Sequence, residues 1–363
     1  MESSASVVVD ALALSIAAGV PTVLWGAPGT GKSSAVMALA EASGVPCEVV
    51  IASIREPSDF GGLPIVVDGG VRFAPPAWAM NLAGAGKGVL FLDEISTAPP
   101  AVQAALLRVV LERVVGDLAL PDSISIVAAA NPPEQAADGW DLSAPLANRF
   151  CHLDWTVDSH TVAAGLVAGF AAPVAPELPG FWTLQIPLAA GLVGGFLGVR
   201  PSLVVAPPTD RAAAGRAWPS PRTWEMAIRL VAACEVATVS ASVRSALVRG
   251  VVGDGPGLEF LTWIEELDLP DPEAALADPG GVQFPERGDR IYAVLSSVAA
   301  AVTANTTPER WRAGWKVMAR AADDSPDVAA MAARVLARIR PEGESAPPEA
   351  ARFVPVLREA GMV

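Results

Sequence analysis

The sequence predicts an α/β fold in which a parallel β-sheet flanked by helices is followed by a mainly helical second half. Three observations support this fold class. Short apolar runs bounded by turn residues alternate with helical stretches through the first half, the pattern of a parallel sheet. After about Asp158, apolar residues recur at spacings of three and four, as in Val328, Met331 and Val335. A glycine-rich loop separates the first apolar run from the helix that follows it.

The strands and helices of the first half can be placed from their boundaries. Helices are predicted at Lys32–Ser43 and at Ala101–Arg113, the second opened by two prolines. Ligands of such sheets bind at the carboxyl ends of the strands. The predicted strands are Thr22–Gly26, Glu48–Ser53, Val89–Asp93, Ile124–Ala130 and Phe150–Trp155.

Composition indicates a folded protein of two domains. The chain has 363 residues, of which 52% are apolar and 18% charged. Its net charge of −14 repels phosphate backbones and anionic lipid, which argues against nucleic acid as a partner. Three cysteines and two histidines lie too far apart for a zinc site, and an odd cysteine count favours a reducing, cytoplasmic setting.

One uncharged stretch, Leu178–Val199, is long enough to span a membrane as a helix. Its two prolines, its glutamine and its glycines favour a buried helix of the second domain instead. The first residues of the chain are acidic and do not resemble a secretory signal. We therefore expect no membrane association.

The segment GAPGTGKS has the pattern of a phosphate-binding P-loop. Its glycines let several backbone amides point at phosphate oxygens, and the following helix offers its positive end. Lys32 is then expected to reach the β- and γ-phosphates of ATP, and Ser33 to bind Mg²⁺. The predicted nucleotide-binding residues are Gly26, Ala27, Pro28, Gly29, Thr30, Gly31, Lys32, Ser33 and Ser34.

Two carboxylates follow the apolar run of GVLFLDEI, residues 88–95. Asp93 is placed to hold Mg²⁺ through water, and Glu94 to orient and polarise the water that attacks the γ-phosphate. Taken alone, such an acidic pair is equally often the solvated start of a loop. The preceding P-loop favours the catalytic interpretation.

A third polar residue ends the strand in SISIVAAANPPE, residues 123–134. The amide of Asn131 can donate a hydrogen bond to the attacking water or to the γ-phosphate. An asparagine before proline is also an ordinary turn former, so this residue alone decides nothing.

The chain resembles an AAA+ ATPase in the order of four motifs, GAPGTGKS, LFLDEI, AAANP and LANRF. Within that superfamily it is most similar to the MoxR and dynein-related branch. The narrower resemblance comes from REPSDFGGLP, from APPAW and from DEISTAPPAVQAALLRVVLE. It covers residues 20–155, with one further motif, WPSPRTWEMA, at residues 218–227.

The resemblance implies a role for several polar residues. Asn131 corresponds to the sensor of the γ-phosphate, and Arg149 to the arginine finger presented to a neighbouring subunit's ATP. Arg222 corresponds to the second sensor, which contacts the nucleotide of its own subunit. A salt bridge is the alternative for Arg149, a plain surface arginine is the alternative for Arg222, and Arg113 is the second candidate for the finger.

The resemblance also implies the domain organisation. Residues 1–157 are expected to form the nucleotide-binding domain, with an insertion at residues 55–80 that reads as a β-hairpin around Asp68. Residues 158–340 are expected to form the helical lid and residues 341–363 a C-terminal tail. The hairpin either lines a central pore or is purely structural.

The function implied is ATP-driven remodelling or activation of a protein client. Relatives of this branch work mostly as hexamers with a partner that carries a von Willebrand factor A domain. The expected cofactors are ATP and Mg²⁺. A slow-turnover ATP-dependent switch or scaffold is an alternative, and a nucleic-acid motor is disfavoured by the acidic charge.

Overall fold

A computed structural model describes residues 4–132, 141–170, 172–174, 178–266 and 270–359. The last two residues of the SISIVAAANPPE segment lie outside these ranges. The strands within them are β1 (Thr22–Trp25), β2 (Cys47–Ile51), β3 (Leu63–Val67), β4 (Gly70–Ala74), β5 (Gly88–Asp93), β6 (Val114–Val115), β7 (Leu118–Ala119), β8 (Ile124–Ala130) and β9 (Cys151–Asp154).

Most of the helices follow the sheet in the chain. The α-helices in the described ranges are α1 (Ser4–Ala17), α2 (Lys32–Ala42), α3 (Ser58–Gly61), α4 (Ala77–Ala85), α5 (Pro100–Glu112), α6 (Ala144–Ala147), α7 (Ser159–Ala168), α8 (Ile186–Val199), α9 (Arg211–Ala214), α10 (Pro221–Ala237), α11 (Ala241–Val252), α12 (Asp254–Glu265), α13 (Pro272–Ala277), α14 (Gly288–Ala304), α15 (Pro308–Ala321), α16 (Pro326–Arg338) and α17 (Val354–Glu359).

The predicted α/β fold is confirmed. Five strands form one parallel sheet in the order β2-β5-β8-β1-β9, and their bounds agree with the predicted ones to within a residue or two. The central strands are continuous apolar runs because both faces of the sheet are covered, and Leu90, Phe91 and Leu92 are fully buried. All carboxyl ends of these strands meet at one edge.

The insertion contains a β-hairpin, as its sequence predicts. Strands β3 and β4 pair antiparallel around Asp68 and Gly69, both with positive φ, as a two-residue turn of this kind requires. A second short hairpin, β6–β7, carries no clear sequence signal. Two hydrogen bonds join the hairpins: Phe73 donates its N–H to the Asp117 side-chain carboxylate (2.9 Å), and Asp117 donates its backbone N–H to the Phe73 carbonyl (3.0 Å).

The chain divides into two compact units, and their boundaries differ from the predicted one at residue 157. Unit 1 comprises Met1–Pro179 and Val205–Leu258, and unit 2 comprises Gly180–Val204 and Glu259–Val363. The difference arises because α10 and α11 pack on α1 and β9 beside the sheet instead of joining the later helices. Helical periodicity reveals that a helix forms but not which layer it packs against.

Unit 2 is helical. Helix α8 packs along α14, where Gly191 and Gly195 let the two helices come close: a Cβ at Gly191 would lie 3.0 Å from the Ser296 carbonyl oxygen. Helices α15 and α16 complete the core, which includes the buried Trp311 and Trp315. The apolar stretch Trp182–Val199 has the length and composition of a membrane span. In the structure one side of it packs within unit 2, and the rest is partly exposed.

The last described residues are part of the core of unit 2. Ala350, Phe353 and Leu357 are buried there, and Phe353 packs against Trp315 with ring centroids 5.8 Å apart. This part of the predicted tail is therefore folded, because an apolar face recurs in it after the proline- and glycine-rich joint.

Candidate functional site

The P-loop connects β1 to α2 at the carboxyl edge of the sheet. Gly31 has φ 89° and forms the amino cap of α2, a left-handed conformation that favours glycine. The Thr30 hydroxyl donates to the Ala27 carbonyl (2.7 Å), which closes the loop on itself. Backbone amides and a helix amino end thus face the same space, an arrangement suited to phosphate.

Lys32 links the loop to the neighbouring strand β8. Its ammonium donates to the carbonyls of Gly26 (2.7 Å) and Ala27 (2.9 Å) and to Oδ1 of Asn131 (3.0 Å). Burial lowers the pKa of Lys32, and the nearby Asp93 carboxylate partly offsets this. Two residues 99 positions apart in the chain are thereby brought into one site.

Ser33 and Asp93 lie side by side at the ends of α2 and β5. The Ser33 hydroxyl donates to Oδ2 of Asp93 (2.8 Å), so two hard oxygen ligands occupy one corner of the site. Mg²⁺ prefers one or two such protein oxygens together with phosphate oxygens and water. The pair fits the predicted ion.

Glu94 follows β5 directly and has φ 55°, a value rare for a residue with a side chain. Its carboxylate accepts a 2.5 Å hydrogen bond from the hydroxyl of Ser53, which lies in the turn after β2. The backbone N–H of Glu94 donates to Oδ1 of Asp93 (2.9 Å). The two carboxylates therefore point into the site from fixed positions.

Asn131 is held by a residue that the motifs do not reveal. The Ser96 hydroxyl accepts the Asn131 backbone N–H (3.0 Å) and donates to the Asn131 carbonyl (3.2 Å). Ser96 is only 1% exposed, and its position two residues after Glu94 is the one available sequence signal. The Asn131 amide is thereby kept beside Lys32.

Trp155, just beyond β9, also contacts the P-loop. Its indole N–H donates to the Thr30 carbonyl (3.0 Å), and its backbone N–H donates to the Trp25 carbonyl (2.6 Å). On the sheet side, Trp25 donates its indole N–H to Nδ1 of His152 (2.9 Å) and lies under the Arg216 guanidinium, 4.2 Å from the ring centroid. Trp25 belongs to the hydrophobic core beneath the loop, and Trp155 joins that core side to the P-loop.

Arg149 and Arg222 lie together, away from the P-loop. Arg149 precedes β9, whose first residue pairs in register with Thr22, so it lies towards the amino edge of the sheet. Burial lowers the pKa of Arg149, and the adjacent Arg222 cation lowers it further. Asn148 holds the start of α10 here, since it donates to the Trp218 carbonyl (3.0 Å) and accepts from the Ser220 hydroxyl (2.7 Å).

The expectation that Arg222 contacts the nucleotide of its own subunit stays a prediction. In the structure, α10 packs on α1 and α11, and its amino end lies at Asn148, which accepts from the Ser220 hydroxyl. Arg113, the other finger candidate, donates to the Ile124 carbonyl and lies 3.9 Å from Asp122 with 19% of its side chain exposed. It is engaged within its own chain.

Part of the chain matches a known protein family. Residues 21–150 match the family described as AAA domain, dynein-related subfamily. The pathogenicity-locus regulatory protein WtsA of Pantoea stewartii subsp. stewartii is 33% identical over 122 residues. That match covers 31% of this chain and 36% of the relative, so the chain spans well under two thirds of that protein.

Two solved structures are similar at 17% sequence identity. One, a protein described as an ATPase from Cytophaga hutchinsonii, has a TM-score of 0.43 and covers 72% of this chain and 88% of its own. The other, a full-length MCM homolog from Methanopyrus kandleri, has a TM-score of 0.38 and covers 67% of this chain and 55% of its own. The family match is confined to residues 21–150, the part of the chain that carries the P-loop, Asp93, Glu94 and Asn131.

Proposed function

We propose that this protein hydrolyses ATP as an AAA+ machine of the MoxR type and uses the energy to remodel or activate a protein client. One observation carries the proposal. Lys32, Asn131 and the Ser33–Asp93 pair, with Glu94 fixed beside them, meet through hydrogen bonds of 2.7–3.0 Å at the carboxyl edge of the sheet. Together they supply the cation, the carboxylates and the hydrogen-bonding groups that phosphoryl transfer to water requires.

In this proposal each residue has a defined task. The loop amides and Lys32 hold the phosphates, and Lys32 exchanges the Gly26 and Ala27 carbonyls for phosphate oxygens. Glu94 orients the attacking water and accepts its proton, and Asn131 donates to that water or to the γ-phosphate. Ser33 and Asp93 would hold Mg²⁺, which neutralises charge on the phosphate oxygens when bound.

The working unit we propose is a homo-oligomeric ring, most simply a hexamer. The support is that Arg149 and Arg222 lie together towards the other edge of the sheet from their own P-loop. Arg222 contributes to lowering the pKa of Arg149, as one cation near another does, and a triphosphate brought by a neighbouring subunit would offset that repulsion. In this proposal both arginines serve the adjacent subunit's ATP.

The client and the partner are inferred more indirectly. The β3–β4 hairpin exposes apolar side chains to solvent, among them Leu63 (61% exposed), Val66 (79%) and Val71 (63%). Exposed apolar surface of this extent suits a polypeptide client better than the acidic chain suits nucleic acid. A partner with a von Willebrand factor A domain is proposed from the family resemblance alone.

The central test compares two variants of the site. Lys32→Ala should abolish ATP binding, whereas Glu94→Gln should bind ATP, stop phosphate release and retain the assembled ring. Lys316→Ala and Glu41→Gln remove exposed side chains of the same types elsewhere and should behave like the wild type. Normal hydrolysis by Glu94→Gln would refute the assignment of the catalytic carboxylate.

The same measurements distinguish the proposed ATPase from the alternative, a slow ATP-dependent switch. A switch would bind ATP and assemble, but its wild-type phosphate release would be no faster than that of Glu94→Gln. Affinity capture with Glu94→Gln in ATP, followed by identification of retained proteins, then tests the client and the partner.

A further inference from the structure

Trp155 touches the P-loop at its beginning and near its end. The backbone N–H of Trp155 donates to the Trp25 carbonyl, the residue directly before the loop (2.6 Å). The indole N–H donates to the Thr30 carbonyl, two residues before Lys32 (3.0 Å). One residue that is 125 positions distant therefore ties down both ends of the glycine-rich segment.

A third contact lies between these two. Gly26 packs directly against the backbone of Trp155: a Cβ at this position would lie 2.6 Å from the Trp155 carbonyl oxygen and 3.0 Å from its Cβ. Separations below 3.0 Å do not occur for real Cβ atoms, so glycine is required here by this contact. The first residue of the loop thus has no room to move towards Trp155.

The indole bond has a geometric consequence for the opposite side of the loop. In a trans peptide, the carbonyl and the next residue's N–H point in opposite directions. Because Trp155 fixes the Thr30 carbonyl on the side of β9, the N–H of Gly31 must point away from it, towards the phosphate side of the loop. A glycine at position 31 with φ 89° allows this peptide to flip if the carbonyl is released.

We propose that Trp155 is a positioning residue for nucleotide, which holds the Thr30–Gly31 peptide in the orientation that presents its N–H to phosphate. The inference rests on the proposed function, since it concerns the same loop. Trp155 acts through the loop and does not itself contact the reacting atoms. The indole holds the Thr30 carbonyl in place more firmly than a flexible donor would, because its side chain has few rotatable bonds and is partly buried.

Trp155→Phe tests this role, because it retains an aromatic ring and removes the N–H donor. Loss of one neutral hydrogen bond that orders the loop should weaken binding of both ATP and ADP by about two- to tenfold. Both nucleotides should be affected equally, since the same loop holds the β-phosphate of each. The kcat at saturating ATP should stay close to the wild-type value, because Glu94 and Asn131 are held by Ser53 and Ser96.

Trp311→Phe is the matched control. It removes an indole bond of the same kind, to the Leu336 carbonyl (2.8 Å), but in the core of unit 2. It should lower thermal stability and leave the Kd for both nucleotides unchanged. Hydrogen exchange at residues 26–31 should rise in Trp155→Phe and not in the control, which a merely structural role for Trp155 would not produce.

Three results would overturn the proposal. If Trp155→Phe binds ATP and ADP as the wild type does, the indole does not position the loop. If kcat falls and the Kd is unchanged, Trp155 acts on the chemical step. If wild-type protein binds neither nucleotide, the proposed function fails and this role fails with it. Should Trp155→Phe not fold, Trp155→Tyr, which also lacks a donor at that position, carries the same comparison.

Discussion

The hydroxyl of Ser53 donates a 2.5 Å hydrogen bond to the carboxylate of Glu94, although 41 residues separate the two in the chain. The bond joins the end of β2 to the end of β5, two strands that are neighbours in the sheet. It restricts the rotamers of a carboxylate whose backbone already has an uncommon positive φ.

Ser53→Ala should therefore slow hydrolysis without weakening ATP binding. The carboxylate would sample several rotamers, and we expect kcat to fall by about three- to tenfold, the effect of losing one orienting hydrogen bond. Ser53→Thr keeps the hydroxyl and is the control. Phosphate release at saturating ATP is the measurement. Faster hydrolysis in Ser53→Ala would mean instead that the hydroxyl holds Glu94 away from the position that hydrolysis needs.

Mixing inactive subunits tests the trans role of Arg149. Arg149→Ala supplies an intact P-loop and Lys32→Ala supplies an intact finger, so an equal mixture should recover about a quarter of the wild-type interfaces. A mixture of Lys32→Ala with Glu94→Gln should recover nothing, because both defects lie on the same side of an interface. ATPase rates of rings shown to be mixed decide between these outcomes.

His152 should make stability depend on pH. It is buried, accepts the Trp25 indole N–H at Nδ1 and lies 2.9 Å from the Ala147 carbonyl at Nε2, so only the neutral ring satisfies both contacts. Burial lowers the pKa of His152 from about 6.5 to about 4. The folded state therefore resists protonation that the unfolded chain accepts.

The sign follows from this order of pKa values. Above pH 6.5 the ring is neutral in both the folded and the unfolded state, so the contacts of His152 contribute fully to the free energy of unfolding. As the pH falls towards 4, only the unfolded state gains a proton, and the free energy of unfolding decreases. The loss by pH 4 should amount to about 3 kcal/mol. His152→Gln can make both contacts without titrating. Urea unfolding between pH 7 and 4 should show a steeper fall for the wild type than for this variant, and equal slopes would contradict the prediction.

The exposed hairpin should depend on Asp117 for its position. Asp117 accepts the Phe73 N–H and donates its own N–H to the Phe73 carbonyl, and the hairpin has two strands, which rarely suffice for independent stability. Asp117→Ala should therefore accelerate tryptic cleavage after Arg72, which is exposed in β4. Asp68→Asn changes the charge at the tip and keeps the turn, so its cleavage rate should match the wild type.

The sequence by itself determined the fold class, the P-loop and the strand ends that carry Asp93, Glu94 and Asn131. These features could be predicted because each is local. A strand, a tight glycine turn and a helix start are specified by neighbouring residues, and parallel strands bring their carboxyl ends to one edge without further information.

Only the tertiary structure decided which residues support that site and where Arg222 lies. The contacts of Ser53, Ser96 and Trp155 span 41, 35 and 125 residues, and the one local sequence signal among them is the position of Ser96 two residues after Glu94. The position of Arg222 depends on α10 packing against α1 and α11 and not among the later helices. Hydrogen bonds between side chains so far apart in the chain depend on its three-dimensional arrangement, and so does the choice of packing partner for a helix. The periodicity of a single segment contains no information about either.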